Sequence, residues 1–219
     1  WSEDETWVCL VTPNDGTDDG PQGRIALGVE DPIGVDFTGA SVSKTTPTGG
    51  TYSGTSYDDA CDDNEVLVGL SGTLTASPYI ASAAARCAEM NFSCSGTSCT
   101  ASTGTITTGT SRGSSSGTSY TSDCPSGSVV TGFVPRGGWY MDQIKLRCAP
   151  LTATFDGVDW DIKVGTGTDL SAVGGTGGGL RSRSDCTTGS VASSVQIKAS
   201  SSLVMTIGFG CQEPAAEMP

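Results

Sequence analysis

The chain has 219 residues, 36% of them hydrophobic and 31 of them Gly, with few windows of helical spacing, so it favours many short strands over helices. A formal net charge of −13, from 24 acids and 11 bases, repels nucleic acid and anionic lipid, and no run of apolar residues is long enough for a membrane-spanning helix. The absence of His excludes Ser-His-Asp and Cys-His catalysis and His-ligated metals, while nine Cys point to an oxidising compartment, outside the cell or at its surface.

Residues 1–25 form an N-terminal extension. It has no apolar leader and begins at Trp1, which reads as a mature or trimmed end. Within it, Thr6 to Val11 reads as a strand able to join a sheet edge of its own chain or of a second copy. Asp15, Asp18 and Asp19 make one acidic turn, and Asp58, Asp59, Asp62, Asp63 and Glu65 a second. Calcium is the one ion these suggest, but neither has EF-hand spacing, so solvated turns without a cofactor or metal are expected.

From residue 26 to 212 the cysteines mark a repeat. Cys61 to Cys87, Cys124 to Cys148 and Cys186 to Cys211 enclose similar segments whose starts lie 63 and 62 residues apart. Each runs Cys, turn, β-branched strand, loop, second strand, closing Cys. Gly34-Val35-Asp36-Phe37 matches Gly157-Val158-Asp159-Trp160 two periods later. The units are placed at about 26–88, 89–149 and 150–212, followed by a tail at 213–219. Ile144 and Leu146 alternate with Lys145 and Arg147, and Trp160, Ile162 and Val164 with Asp161 and Lys163, as in strands buried on one face. Val129, Thr131 and Phe133 alternate with Val130, Gly132 and Val134, a strand apolar on both faces. Four strands per unit form three sheets that bury a face only by sharing one core.

Pairing each unit's own cysteines closes loops worth roughly 3 kcal/mol each. Cys94 and Cys99 form a further local pair, and Cys9 is left over, either a buried free thiol or bonded to another chain. Spacing does not fix this connectivity, and Cys9 also competes for Cys94 or Cys99. Asn91-Phe92-Ser93 is a sequon that makes Asn91 a candidate for N-glycosylation.

In the second unit, Cys124-Pro125-Ser126-Gly127-Ser128-Val129-Val130-Thr131-Gly132-Phe133 followed by Met141-Asp142-Gln143-Ile144-Lys145-Leu146-Arg147-Cys148 resembles the repeat of vitelline membrane outer layer proteins. The loop between, Gly138-Trp139-Tyr140-Met141-Asp142, resembles the G-x-x-x-D sugar loop of jacalin-related lectins. The resemblance implies an all-β, β-prism-like fold, three Greek-key-type sheets around a pseudo-threefold axis, stapled by disulfides. It also implies a carbohydrate site at Gly138, Trp139, Tyr140 and Asp142. The chemistry suits sugars: an ionised Asp accepts from two hydroxyls, an aromatic ring offers a flat apolar surface, and glycines let backbone approach. The glycine-rich run 174–179 resembles the loop lining the other side of such a site. The corresponding places in the other units, Ser77 to Ser82 and Ser200 to Leu203, carry no acid, so one site is expected.

The expected function is that of a secreted, non-catalytic, lectin-like protein whose partners are glycans. The alternative is a self-assembling subunit of an extracellular matrix, coat or filament, joining copies of itself by strand addition or through Cys9. Asp159 and Asp161 share one wet strand face with Lys163 and read as a charge cluster rather than a glycosidase pair. Arg181 and Arg183 read as a solvated basic pair.

Overall fold

Three antiparallel hairpins carry the architecture. They are Glu65–Leu74 with Ile80–Ser95, Ser128–Gly137 with Met141–Phe155, and Val191–Ala199 with Val204–Gln212. The structure, a computed structural model, describes residues 7–11, 23–27, 34–37, 43–44, 48–49, 54–156 and 159–217, and among these there is no helix. The chain divides into two compact units, 1–32 with 219, and 33–218. In the first, Trp7–Val11 pairs with Gly23–Leu27. The Cys9 side chain and the turn with Asp15, Asp18 and Asp19 lie outside the described residues.

In the second unit the first strands of the three hairpins pack against one another pairwise, around one axis. Leu67 and Leu70, Val130 and Phe133, and Ala192 and Val195 point into a shared core, joined by Ile80, Ile144, Leu146, Ile207 and Phe209 from the second strands. The rings of Phe133 and Phe209 meet edge to face at 4.9 Å.

The inward spacing here departs from strict alternation. Each first strand carries a bulge, at Val68, Thr131 and Ser193, so that residues three apart, such as Val130 and Phe133, share a face. The bulge has a partner. Cys124 N–H donates to the Val68 carbonyl (2.8 Å), Cys186 N–H to Thr131 (2.8 Å) and Cys61 N–H to Ser193 (2.9 Å). The strand read as apolar on both faces is therefore bulged, and Val129 faces a second core.

Each sheet is completed from elsewhere in the chain. Thr118–Asp123 pairs with the first hairpin, Gly179–Leu180 and Ser184–Asp185 with the second, and Thr55–Ala60 with the third. On the other edges, Thr107–Thr108 and Arg112–Gly113 join the first hairpin, Thr168–Asp169 and Val173–Gly174 the second, and Ser43–Lys44 and Thr48–Gly49 the third. The strand before each unit's first Cys thus lies in a different sheet from the hairpin after it. The bonds Cys61–Cys87, Cys124–Cys148 and Cys186–Cys211 consequently run from sheet three to one, one to two and two to three. Arg112 adds a clasp between sheets one and three, bonding Asp59 and stacking 4.2 Å over the Tyr57 ring.

Past the closing cysteines two strands run on. Ile80–Ser95 turns into Ser98–Thr103, which pairs with the end of Met141–Phe155, and that with Trp160–Val164. Ala88, Met90, Phe92, Leu151 and Ala153 pack with Val66, Val129 and Val191 into the second core. Cys94–Cys99 closes the tip of this extension.

The disulfides differ in what they constrain. Cys61–Cys87 spans 26 residues and two sheets, whereas Cys94–Cys99 spans five within one hairpin. Loop entropy gives about 3.5 kcal/mol for the first and about 2 for the second. Replacing Cys61 and Cys87 with Ser should therefore lower the denaturant midpoint more than replacing Cys94 and Cys99. Equal losses in urea titrations would show that the inter-sheet bond adds nothing special.

Candidate functional site

The loop closing the second hairpin, 138–140, is the shortest of the three, against 75–79 in the first and 200–203 in the third. Gly138 N–H donates to the Tyr140 carbonyl at 3.2 Å, so the chain reverses at once and Asp142 becomes the second residue of the next strand. Met141 enters the prism core, and Asp142 is also buried, with 5% of its surface exposed.

The glycine-rich segment 174–179 buries it. Its two flanks pair with the same hairpin, Gly174 opposite Gln143 and Gly179 opposite Gly137, which brings the segment over the carboxylate. Gly175 N–H donates to the carbonyls of Asp142 (2.9 Å) and Pro78 (2.8 Å). A Cβ at Gly177 would collide with Oδ1 of Asp142, and one at Gly178 would stand 2.6 Å from Oδ2, where φ is also +56°. At Gly178 the backbone of Gly137 and Gly138 is equally close, so only glycine fits, whereas a side chain at Gly177 would have to displace the carboxylate.

Side chains fix this frame. Arg136 Nε donates to the carbonyls of Thr176 (3.0 Å) and Gly177 (2.9 Å), Gln143 Nε2 to that of Gly175 (3.0 Å), and Arg181 Nε to that of Gly137 (3.2 Å). At the rim, Trp139 and Leu180 are the two exposed large hydrophobic side chains among the described residues, at 65% and 67%. The Tyr140 ring lies 6.0 Å from that of Tyr79 in the first hairpin's loop.

Among the described residues, no donor is hydrogen-bonded to the Asp142 carboxylate. The only sealed side-chain nitrogen or oxygen there without a partner is Ser190 Oγ, so the Asp142 oxygens are reached by solvent. The arrangement is a recessed acceptor, open on one side, with an aromatic and an aliphatic side chain beside it. In the first hairpin Ala81 occupies the same place, its carbonyl accepting from Ser114 N–H (2.9 Å). In the third, Thr206 opposite Gly49 mirrors Gln143 opposite Gly174, which puts Met205 there.

Sequence reasoning placed Gly138, Trp139, Tyr140 and Asp142 together and missed Pro78, Tyr79, Arg136, Gln143 and Arg181. Arg183, read as solvated, instead bonds Asp169 at 3.0 Å. Asp161 pairs with Lys163 at 3.5 Å, both well exposed, and Asp156 Oδ1 accepts from Asp159 N–H (3.0 Å). Asp58 accepts from Ser194 Oγ (2.9 Å) and Gln196 Nε2 (3.2 Å), and no metal-holding cluster of His, Cys, Asp or Glu occurs among the described residues. Asn91 is exposed on the extended strand, opposite Ser102.

No protein-family model matches the chain, and no curated protein matches it in sequence. Among solved structures, it is similar to a prostate-specific WGA16 glycoprotein lectin, with a TM-score of 0.51 and 13% identity over 78% of this chain and 99% of that one. The fold is a β-prism. Calystegia sepium agglutinin (TM-score 0.48, 12% identity) and the Calsepa lectin in complex with a biantennary N-glycan (0.47, 13%) each align over 78% of this chain and 96% of their own. At 13% identity the likeness to the first concerns the fold alone, an all-β prism, here carrying four disulfides among the described residues.

Below the site on the same sheet, Asp169 meets Arg147 (3.1 Å), Arg183 (3.0 Å) and Lys145 (3.6 Å). Burial acts to raise its carboxyl, but the Arg hydrogen bonds and the surrounding positive charges outweigh this and hold it below its ordinary value. Burial pushes the neighbouring Asp185 up. A lowered carboxyl stabilises the fold above its ordinary pKa of about 4, and that contribution is lost as pH falls through the lowered value. Asp169→Asn should therefore melt below wild type at pH 7, with the gap closing at pH below about 4. A gap independent of pH would rule this out.

Proposed function

We propose that the protein is a secreted, non-catalytic lectin and that Gly138, Trp139, Tyr140 and Asp142 form its glycan site. The observation that carries this reading is the Asp142 carboxylate, recessed beneath Gly177 and Gly178, where any side chain would press on it, and without a protein donor among the described residues. A carboxylate kept this way costs solvation and gains nothing internally, which suits a group held for an outside ligand. Two vicinal sugar hydroxyls would donate to Oδ1 and Oδ2, and the exposed Trp139 ring would lie along an apolar sugar face. The lectin fold supports the same reading.

No step of bond breaking is assigned to this site. Affinity for one sugar should be weak, roughly −4 to −8 kcal/mol. Four disulfides fit an oxidising secretory route, on which Asn91 would be the acceptor of an N-linked glycan.

A glycan array followed by calorimetry tests the site. Asp142→Asn should abolish binding to every glycan that wild type binds, while melting no lower than wild type, because no internal hydrogen bond is lost. Trp139→Ala should weaken binding by about three- to tenfold, the value of one stacked ring. Retained binding in Asp142→Asn would sink the assignment, and a collapse in its melting temperature would make Asp142 a structural residue.

A further inference from the structure

Charge is unevenly spread over this acidic chain. Residues 128–149 and 168–186, which build the second sheet, hold five of the 11 Lys and Arg residues against three acids, Asp142, Asp169 and Asp185. These segments carry +2, while the other six cations and 21 acids leave the rest of the chain at −15. Among the three described sheets of the prism, the one with net positive charge is therefore the sheet that presents the Asp142 loop.

The cations divide into two groups. Lys145, Arg147 and Arg183 share the single carboxylate of Asp169. Arg136 and Arg181 sit higher, against the two backbone segments that frame Asp142. Each uses its Nε on backbone carbonyls, which hold the guanidinium in place without neutralising it. Among the described residues their terminal nitrogens have no hydrogen-bond partner. Oriented guanidinium edges with open donors match the oxygens of a carboxylate or sulfate, which they bind in bidentate fashion.

We infer that the Asp142 site takes anionic glycans, sugars bearing a carboxylate or sulfate, with Arg136 and Arg181 reading the anion. This rests on the lectin reading of the Asp142 loop. Asp142 selects hydroxyls, and its own charge repels an anion placed directly over it. The acidic group must therefore project to the rim, where the two arginines stand. The net negative charge of the remainder of the chain disfavours an anionic ligand there, which favours this sheet among those described.

The test is an array printed with neutral glycans alongside sulfated and uronate-bearing forms of the same backbones, followed by calorimetry on matched pairs. The acidic member should bind at least about tenfold tighter at low salt, with the preference shrinking between 50 and 200 mM NaCl, because a rim-exposed pair is screened. Arg181→Gln should cut the acidic-to-neutral ratio at least about threefold, a loss of roughly 0.7 kcal/mol. Lys198→Gln, a cation on the third sheet, should leave the ratio unchanged. Equal binding of acidic and neutral members overturns the inference and leaves the lectin reading standing. Acidic binding that survives Asp142→Asn overturns it too, because the anion then sits elsewhere. If no glycan binds wild type, both fall together.

Discussion

Three hydrogen bonds and three disulfides, all centred on the same cysteines, hold the prism in register. Cys61, Cys124 and Cys186 each leave an outer strand of one sheet, donate an N–H to that sheet's bulge carbonyl, and send a sulfur into the next. The bulge is thus a docking point, where the extra residue turns its carbonyl outward to receive the crossing chain. With 36% hydrophobic residues and a charge of −13, the chain has a modest core and strong self-repulsion to overcome. Covalent links between sheets, rather than within them, resist the separation that this repulsion favours. The Arg112 clasp on Asp59 and Tyr57 reinforces one of the three seams.

The candidate site is a by-product of the same exchange. The hairpin loop carrying Asp142 and the glycine segment covering it lie far apart in sequence, yet both edges of that segment pair with one hairpin. Backbone geometry alone would build the same frame three times. The third and first hairpins have it with Met205 and Ala81 in place of the acid, where neither side chain offers a carboxylate. The scaffold is symmetric and the chemistry is not, so the position of one carboxylate and of five cations distinguishes the faces.

Much of this was legible in the chain. Cysteine spacing and the alternation of Ile144 and Leu146 with Lys145 and Arg147 located strands, because both are local patterns. The G-x-x-x-D loop stood out through its resemblance. The bulges did not, since a residue such as Thr131 is extra only relative to its partner strand, and the donor it serves lies in Cys186. Arg136 and Arg181 were equally hidden. Their meaning comes from carbonyls of residues dozens of positions away, and a basic side chain in a Ser/Gly loop looks solvated until the sheet is assembled. Pro78 and Tyr79 reach the site from another hairpin, a relation that no window of sequence contains.

The order of the strands also sets a clock for biosynthesis. Thr55–Ala60 is made early, but its partner Val191–Ala199 emerges much later, with Asp58 and Ser194 separated by 136 residues. Until Val191–Ala199 leaves the ribosome, that strand has a bare edge, and Cys61 must be oxidised to Cys87 before its own sheet exists or else wait, exposed, for the hairpin that completes it. A nascent chain in this state offers a ready template to another like it, so the interval before the third sheet closes is when the protein is most open to pairing with its own copies.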